Sequence, residues 1–153
     1  VLYAAKGEVP DGESLLPFGH AALTREGKDA SIVTCGQMVR AAEIAADKLA
    51  KEGIGCDVID LRTTSPLDEE TILDSVENTG HLILVDEAPP RCSLATDIAG
   101  IVANKAFAAL KAPIELVTAP HTPIPFAREL EKAYLPSPAT IEAAVRKSLA
   151  YRR

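Results

Sequence analysis

Three histidines and three cysteines have the widest chemical repertoire in this 153-residue chain. His121 lies in the segment VTAPHTPIPF, between Pro120 and Pro123. It could serve as a metal ligand, a catalytic base or a contact residue on the rim of a docking surface. No two histidines stand at HxH or HxxxH spacing and no CxxC motif occurs, so the sequence does not predict a zinc site.

Acidic residues and a glycine follow predicted strands, where ligands bind in many α/β folds. Asp86 and Glu87 could form a general acid/base pair or a magnesium site. No second acidic cluster follows the first apolar run, so solvated or salt-bridged carboxylates are the favoured interpretation. Gly36 could present backbone N–H groups to an anion, but one glycine is far from a GxGxxG motif or a P-loop.

Cys92 lies beside Arg91 and directly before a helix predicted to begin after Ser93. A neighbouring cation and the helix dipole would favour its thiolate. A nucleophilic cysteine also needs a base and an orienting group, and the sequence places neither beside it. The favoured interpretation is a thiol in a loop or an interface, with a reactive cysteine as the alternative.

The prolines around His121 favour a docking surface. Pro120, Pro123 and Pro125 fix the backbone angle φ and hold the segment extended. This restraint lowers the entropy that is lost when the loop is pinned against a partner. We therefore interpret His121 as a rim or subunit-contact residue, with a place on the route to an active site as the alternative.

The region 94–126 is poor in charge for its length. Its only charged side chains are Asp97, Lys105, Lys111 and Glu115. A region so poor in charge has more apolar surface than one small core usually buries, which favours coverage by another subunit. The alternative is close packing of Ala-rich helices on the sheet. The predicted interface residues are Arg91, Cys92, Pro120, His121 and Pro123.

Composition sets the class of protein. Hydrophobic residues make up 47% and charged residues 25%, which is typical of a globular domain. The net charge of −6 repels nucleic acid and anionic membranes, so we expect neither as a partner. The cysteines are far apart and are expected to be reduced, as in a cytoplasmic protein. We see no signal peptide or transmembrane run, and the start at Val1 suggests a trimmed product or a piece of a longer protein.

Short apolar runs alternate with helical periodicity along the chain. The predicted strands are 31–35, 56–61, 81–86 and 114–119, with an edge hairpin formed by 20–25 and 30–35 around the turn-like EGKD. The second predicted helix has a capping-box-like start formed by Ser65, Pro66 and Asp68, with Pro66 at its first helical position, and it ends at Gly80. The other predicted helices run from Val39 to Gly53, from Ser93 to about Leu110, from about Phe126 to Tyr134, and from Ser137-Pro138 onward.

This alternation predicts an α/β three-layer sandwich. Right-handed crossovers place the strands in a mostly parallel sheet of about five strands, with an antiparallel edge hairpin and with helices on both faces. Residues 1–19 are rich in Pro, Gly and acidic residues and are interpreted as the remnant of an interdomain linker. Residues 20–153 form the one predicted domain.

Nearly the whole chain also resembles a known family. The stretches that carry the resemblance are KGEVPDGE, PFGHAALTREGKDASIVTCGQMV, GIGCDVIDLRTTSPLDEETI, LVDEAPPRCSLATDIAGIV and APIELVTAPHTPIPFARELEKAYLPS. They are similar to the transketolase-like C-terminal domain in the beta subunit of thiamine-diphosphate-dependent 2-oxo acid dehydrogenases. Pyruvate and branched-chain members usually carry a Gly-Gly pair and a Gly-x-Asp where this chain reads PPRCS and PHTP, which is similar to the acetoin dehydrogenase branch.

The resemblance implies an α2β2 enzyme that cleaves or decarboxylates its substrate and transfers the acyl group to lipoamide. In this family a GDG…NN motif of the alpha subunit binds diphosphate and magnesium, and a glutamate in the N-terminal domain of the beta subunit activates the coenzyme. Neither feature occurs in this sequence. The resemblance therefore implies that this chain binds no cofactor by itself, that thiamine diphosphate and magnesium belong to the intact enzyme, and that the isolated chain is inactive.

The role that the resemblance implies is assembly. The implied partners are the N-terminal domain of the same beta subunit, the alpha subunit, a second beta subunit and the dihydrolipoyl acyltransferase core. Two alternatives stay open: the C-terminal domain of another thiamine enzyme of the transketolase type, and a stand-alone module that binds a small anion at the helix after Gly36.

Overall fold

The computed structural model describes residues 6–8 and 11–152, and within them it shows a five-stranded mixed sheet. The strands are β1 (Ala22–Arg25), β2 (Ala30–Thr34), β3 (Cys56–Asp60), β4 (Leu82–Asp86) and β5 (Glu115–Thr118). Their order across the sheet is β1-β3-β2-β4-β5. The strands β2 to β5 run parallel and β1 alone is antiparallel, which confirms the predicted mostly parallel sheet.

Helices cover both faces of the sheet and make the three layers. They are α1 (Met38–Ala50), α2 (Glu69–Thr79), α3 (Leu94–Lys105), α4 (Arg128–Tyr134) and α5 (Pro138–Leu149). Side chains of α1 and α5 pack on one face, around Ile32, Val58 and Ile83. Side chains of α2 and α3 pack on the other face. The strand residues alternate between these two cores because successive side chains of a strand point to opposite faces.

Local capping signals fix three helix ends where the sequence predicts them. Ser93 and Ser137 each accept a hydrogen bond from the backbone N–H three residues on, and both form capping boxes. Gly80 ends α2 in the left-handed conformation with φ of 77°. The predicted end of α3 near Leu110 is wrong, because the helix ends at Lys105 and a 3-10 turn follows at Phe107–Ala109.

The predicted start of α2 at Ser65-Pro66 is also wrong. The helix cap is Asp68, whose carboxylate accepts hydrogen bonds from the backbone N–H of Thr71 at 3.1 Å and from that of Ala21 at 2.8 Å. Pro66 lies before the helix in a turn. A contact with the distant residue Ala21 therefore helps to select the cap.

The predicted edge hairpin between 20–25 and 30–35 is wrong as well. Strand β1 is the antiparallel edge strand, but it pairs with β3 rather than with β2. Both sides of β2 are occupied, by β3 and by β4, so the open side of β3 remains for β1. Gly27 permits this crossing, because a Cβ there would lie 2.3 Å from the backbone nitrogen of Cys56.

The predicted linker lies only partly within the structure. Residues 1–5 and 9–10 fall outside the described residues, and residues 11–18 are exposed. The backbone N–H of Gly19 donates to the hydroxyl of Thr63 at 2.9 Å. No helix among the described residues is long and apolar enough to cross a membrane.

Candidate docking surface at the carboxyl edge of the sheet

Four loops meet at one edge of the sheet because the strands β2 to β5 are parallel and end on the same side. They are residues 35–37 after β2, 61–68 after β3, 87–93 after β4 and 119–127 after β5. All five residues predicted for an interface lie in two of these loops. Because β4 and β5 are neighbours in the sheet, those two loops are adjacent.

A groove of about 660 Å³ opens between the loops after β2, β4 and β5 and the helix α4. Its lining residues are Gln37, Glu87, Ala88, Pro89, Thr122, Pro123, Ile124, Glu131, Tyr134 and Leu135. The lining contains two carboxylates and no lysine or arginine. The remaining wall is mainly proline and aliphatic, so the groove offers apolar contact beside negative charge.

Hydrogen bonds fix the shape of the groove. The side-chain amide of Gln37 donates to the carboxylate of Glu87 at 2.5 Å, which ties the start of α1 to the loop after β4. The hydroxyl of Tyr134 donates to the backbone carbonyl of Thr122 at 3.2 Å, which holds α4 against the proline-rich loop. Tyr134 is itself buried. The loop after β5 is therefore anchored at its base while its other side chains face outward.

Exposed apolar side chains also occur in the proline-rich segment and in α4, both of which contribute residues to the groove. Ile124 is 73% exposed, Leu130 is 60% exposed and Phe126 is fully exposed. Large apolar side chains that stand this far out of a fold mark an interaction surface when they cluster. Sequence reasoning selected the prolines here but missed these three residues. For Ile124 the available signal was a large apolar residue in a proline-rich segment without helical or strand periodicity.

The structure separates the predicted interface residues into two groups. Pro123 lines the groove, and Pro120 and His121 are exposed in the same loop. Arg91 and Cys92 are exposed in the loop before α3. Cys92 lines a different, shallow depression with Thr64 and the first turn of α3, and its backbone has a positive φ of 51°.

At this edge the carboxylate of Asp86 holds a loop in place, and the thiol of Cys35 is kept in its neutral form. Asp86 accepts hydrogen bonds from the backbone N–H of Ala88 at 2.9 Å and of Ala95 at 3.4 Å, so it holds the loop before α3. Burial, followed by the charges of Asp86, Asp60 and Glu87, raises the pKa of the Cys35 thiol and keeps it protonated. Among the residues that the structure describes, no group of three His, Cys, Asp or Glu side chains is arranged to hold a metal ion.

Residues 19–141 match the family model of the transketolase C-terminal domain, and the chain belongs to this family. It is 59% identical, over 97% of its length, to the acetoin:2,6-dichlorophenolindophenol oxidoreductase subunit beta of Cupriavidus necator. It is 50% identical, over 91% of its length, to the protein of the same name in Bacillus subtilis. A pyruvate dehydrogenase E1 component subunit beta of Rickettsia felis is 42% identical over 99% of the chain.

The chain spans less than half the length of these relatives, namely 44%, 41% and 46% of them. Among solved structures, a split gene transketolase described as an inactive beta4 tetramer superimposes with a TM-score of 0.80 at 27% identity, over 96% of this chain and 47% of that one. A 2-oxoglutarate:ferredoxin oxidoreductase from Magnetococcus marinus shares the fold, with a TM-score of 0.54 at 14% identity over 85% of this chain and 19% of that one. The resemblance to beta subunits and the predicted α/β fold are confirmed.

Proposed function

We propose that this chain is the C-terminal assembly and docking domain of the beta subunit of a thiamine-diphosphate-dependent acetoin or 2-oxo acid dehydrogenase. The observation that carries the proposal is the 59% identity over 97% of the chain to an acetoin oxidoreductase beta subunit of which it spans only 44%. The second relative has the same name, which favours acetoin over pyruvate as the substrate. The intact enzyme cleaves its substrate and transfers the acyl group to lipoamide.

The domain boundary is part of this proposal. Residues 1–19 are the linker from an N-terminal domain of the same subunit, and residues 20–153 are the docking domain. The match to the family model begins at residue 19, which supports a boundary there. The hydrogen bond from Gly19 to Thr63 supports the same boundary.

The coenzyme does not fit the groove at the carboxyl edge of this domain. Thiamine diphosphate needs cationic or N–H donors for its diphosphate and oxygen ligands for a magnesium ion. The groove instead presents Glu87 and Glu131 without a lysine or arginine in its lining, and these charges would repel a diphosphate. We therefore infer that thiamine diphosphate and magnesium are held by the other parts of the enzyme and that this chain alone is inactive.

The groove and its exposed neighbours support the docking role. Ile124, Phe126 and Leu130 are exposed apolar side chains of the kind that an interface core needs, and charged residues for a rim lie in the same segment and helix. The proposed partners are the N-terminal domain of the beta subunit, the alpha subunit, a second beta subunit and the dihydrolipoyl acyltransferase core. A chain of the same fold is described as forming a beta4 tetramer, which supports contact between beta chains. His121 is a rim residue of this surface.

The test is co-expression of the full beta subunit that contains this sequence with its alpha subunit, followed by two measurements. Acetoin-dependent reduction of 2,6-dichlorophenolindophenol reports turnover, and light scattering reports assembly. Phe126→Ser should weaken assembly at least tenfold, because it removes a large exposed anchor. His121→Ala should leave kcat within about twofold, because a rim residue does not touch the reacting atoms. Leu23→Ser, an exposed position on β1, is the matched control and should change neither.

Three results would contradict the proposal. A large loss of kcat in His121→Ala with assembly unchanged would place that residue in the active site. Wild-type assembly of Phe126→Ser would show that the surface is not used. Stoichiometric binding of thiamine diphosphate to the isolated chain, measured by calorimetry, would refute the assignment of the coenzyme to other parts of the enzyme.

An enzyme of the transketolase type is the second candidate. The split gene transketolase neighbour favours it, since that structure aligns with 96% of the chain. Transfer of a ketol group between sugar phosphates by the intact enzyme, without activity on acetoin, would favour this candidate.

A further inference from the structure

One segment at the carboxyl edge has little support from the rest of the domain. Residues 120–133, here called the strap, are all exposed except Pro125, which is partly buried. The residues on either side of the strap are buried, since Ala119 is 1% and Tyr134 is 8% exposed. Most of helix α4 lies in the strap, and Tyr134 is the only buried residue of that helix. The strap is therefore anchored at both ends and exposed between them.

One hydrogen bond closes the strap at its base. The hydroxyl of Tyr134 donates to the backbone carbonyl of Thr122 at 3.2 Å. The other hydrogen bonds of the strap are local, such as that from the ammonium of Lys132 to the carboxylate of Glu129 at 3.0 Å. Among the described residues, no hydrogen bond ties the middle of the strap to a distant part of the domain.

Open grooves lie on both sides of the strap. The lining of the carboxyl-edge groove includes Pro123 and Ile124 of the strap, together with Ala88 and Pro89 of the loop after β4. A second groove, of about 430 Å³, is lined by the two end residues of the strap and by residues of β5 and α5. Because side chains of the domain do not fill these grooves, few packing contacts hold the strap in one position. The strap therefore has room to move.

The wall of the carboxyl-edge groove opposite the strap is fixed. Gln37, at the start of α1, donates to the carboxylate of Glu87 at 2.5 Å. The carboxylate of Asp86 accepts hydrogen bonds from the backbone N–H of Ala88 at 2.9 Å and from that of Ala95, in α3, at 3.4 Å. These bonds tie the loop after β4 to two helices that pack on the sheet. The groove therefore has one rigid wall and one wall that is held only at its ends.

A segment with few buried apolar contacts and with exposed backbone hydrogen bonds opens locally, without unfolding of the core. We propose that the strap is the hinged wall of the carboxyl-edge groove, and that it opens independently of the domain and closes over the groove when the enzyme assembles. Docking at Phe126 fixes the strap in one position, and closure moves Ile124 toward Ala88 and Pro89, which buries apolar surface. The closing step rests on the proposed function, whereas the opening of the strap does not.

Hydrogen exchange of the 153-residue chain, followed by mass spectrometry, measures the opening. Backbone amides of the strap should exchange at least a hundredfold faster than those of α5, which has a buried face. Tyr134→Phe removes the hydroxyl that closes the strap and should speed this exchange about fivefold, the change expected for one hydrogen bond. Tyr151→Phe, at a tyrosine that is 48% exposed outside the strap, is the matched control and should change nothing. Strap amides as slow as those of α5 would overturn independent opening.

Trypsin tests the same opening at particular peptide bonds. Arg128 and Lys132 lie in the strap, and Arg40 and Lys48 are matched sites in α1, which has a buried face. Because cleavage requires a locally unfolded chain, the two strap sites should be cut at least tenfold faster than the two sites in α1. Tyr134→Phe should speed cleavage in the strap alone. Equal rates at the four sites would contradict a separately opening strap.

Closure is measured in the enzyme assembled from the full beta and alpha subunits. A disulfide between Ile124→Cys and Ala88→Cys, mapped by mass spectrometry, should form at least tenfold faster there than in the 153-residue chain, because closure brings the two thiols within bonding range. Cys92, which is exposed but lies outside the groove, is the internal control and should not pair with Ile124→Cys.

The outcomes separate this inference from the proposed function. Equal rates of disulfide formation in the chain and in the assembled enzyme would overturn closure and leave the docking role standing. The docking role fails on a different result, namely wild-type assembly of Phe126→Ser. Independent opening is decided by exchange and trypsin in the 153-residue chain, where no partner is present.

Discussion

Replacement of Asp68 by alanine tests how the start of α2 is fixed. The carboxylate accepts hydrogen bonds from the backbone N–H and the hydroxyl of Thr71, at 3.1 and 2.8 Å, and from the backbone N–H of Ala21 at 2.8 Å. Loss of a helix cap costs about 1 kcal/mol. The N–H of Ala21, which is partly buried, loses its acceptor at a cost of about 1 kcal/mol more. We expect the free energy of unfolding to fall by about 2 kcal/mol at pH 7.

The effect should depend on pH. Burial acts to raise the pKa of Asp68, but hydrogen bonds from Ala21 and Thr71 outweigh it and hold the pKa below its usual value of 3.8. A carboxyl group with a lowered pKa in the folded state stabilises the fold above its unfolded pKa, and this contribution is lost as the pH falls through the folded pKa. The difference between wild type and Asp68→Ala should therefore be complete at pH 7 and shrink below about pH 4.

Urea unfolding at a series of pH values measures this difference. Asp68→Asn should lose less stability than Asp68→Ala, because asparagine is also a good cap. Asp74→Ala, an exposed acidic position in the same helix, is the control and should change stability by less than about 0.5 kcal/mol. A loss in Asp68→Ala that equals the control, or one that stays constant down to pH 2, would refute the role assigned to this carboxylate.

Two further predictions concern the core and the thiols. Ile98→Ala should lower the free energy of unfolding by about 3 kcal/mol because Ile98 is buried. Ile101→Ala, on the partly exposed side of α3, should lower it by about 1 kcal/mol. Urea unfolding measures both losses, and equal losses would contradict the packing of α3. Alkylation followed by mass spectrometry should modify Cys92 first and Cys35 more slowly. Cys56, whose burial raises its pKa to about 11, should react only on unfolding, and early modification would contradict its burial.

Local signals in the sequence were sufficient for three helix ends. Ser93 and Ser137 cap α3 and α5 as predicted, because the cap is a hydrogen bond to a residue only three positions away. The alternation of apolar runs with helical periodicity likewise predicted that β2 to β5 run parallel, because crossover helices connect parallel strands. Such features need no knowledge of distant residues.

Features that depend on distant residues were not predicted. The stretch Ser65-Pro66-Leu67-Asp68 offers two caps for α2, and a hydrogen bond from Ala21, 47 positions away, favours Asp68. Strand β1 joins β3 because both sides of β2 are already paired.

A network of buried hydrogen bonds could not be predicted from local sequence patterns either. Ser75 donates to the carboxylate of Asp57 at 2.5 Å, and the hydroxyl of Ser31 lies 2.6 Å from Ser75 and 2.7 Å from that of Thr79. These residues come from two strands and a helix, and each looks like an ordinary polar residue in the sequence. Only their burial together makes the network necessary, because buried polar groups must be paired.

The sequence by itself determined the α/β class, the capped helices and the proline-rich segment around His121, because these depend on residue type and short spacing. The tertiary structure alone decided that Ile124 and Phe126 stay exposed, that Glu131 faces the same groove, and that a second groove lies on the other side of the strap. An apolar side chain is buried or exposed according to what packs against it. The residues that pack against it are distant in the sequence, so no local pattern predicts whether it is buried.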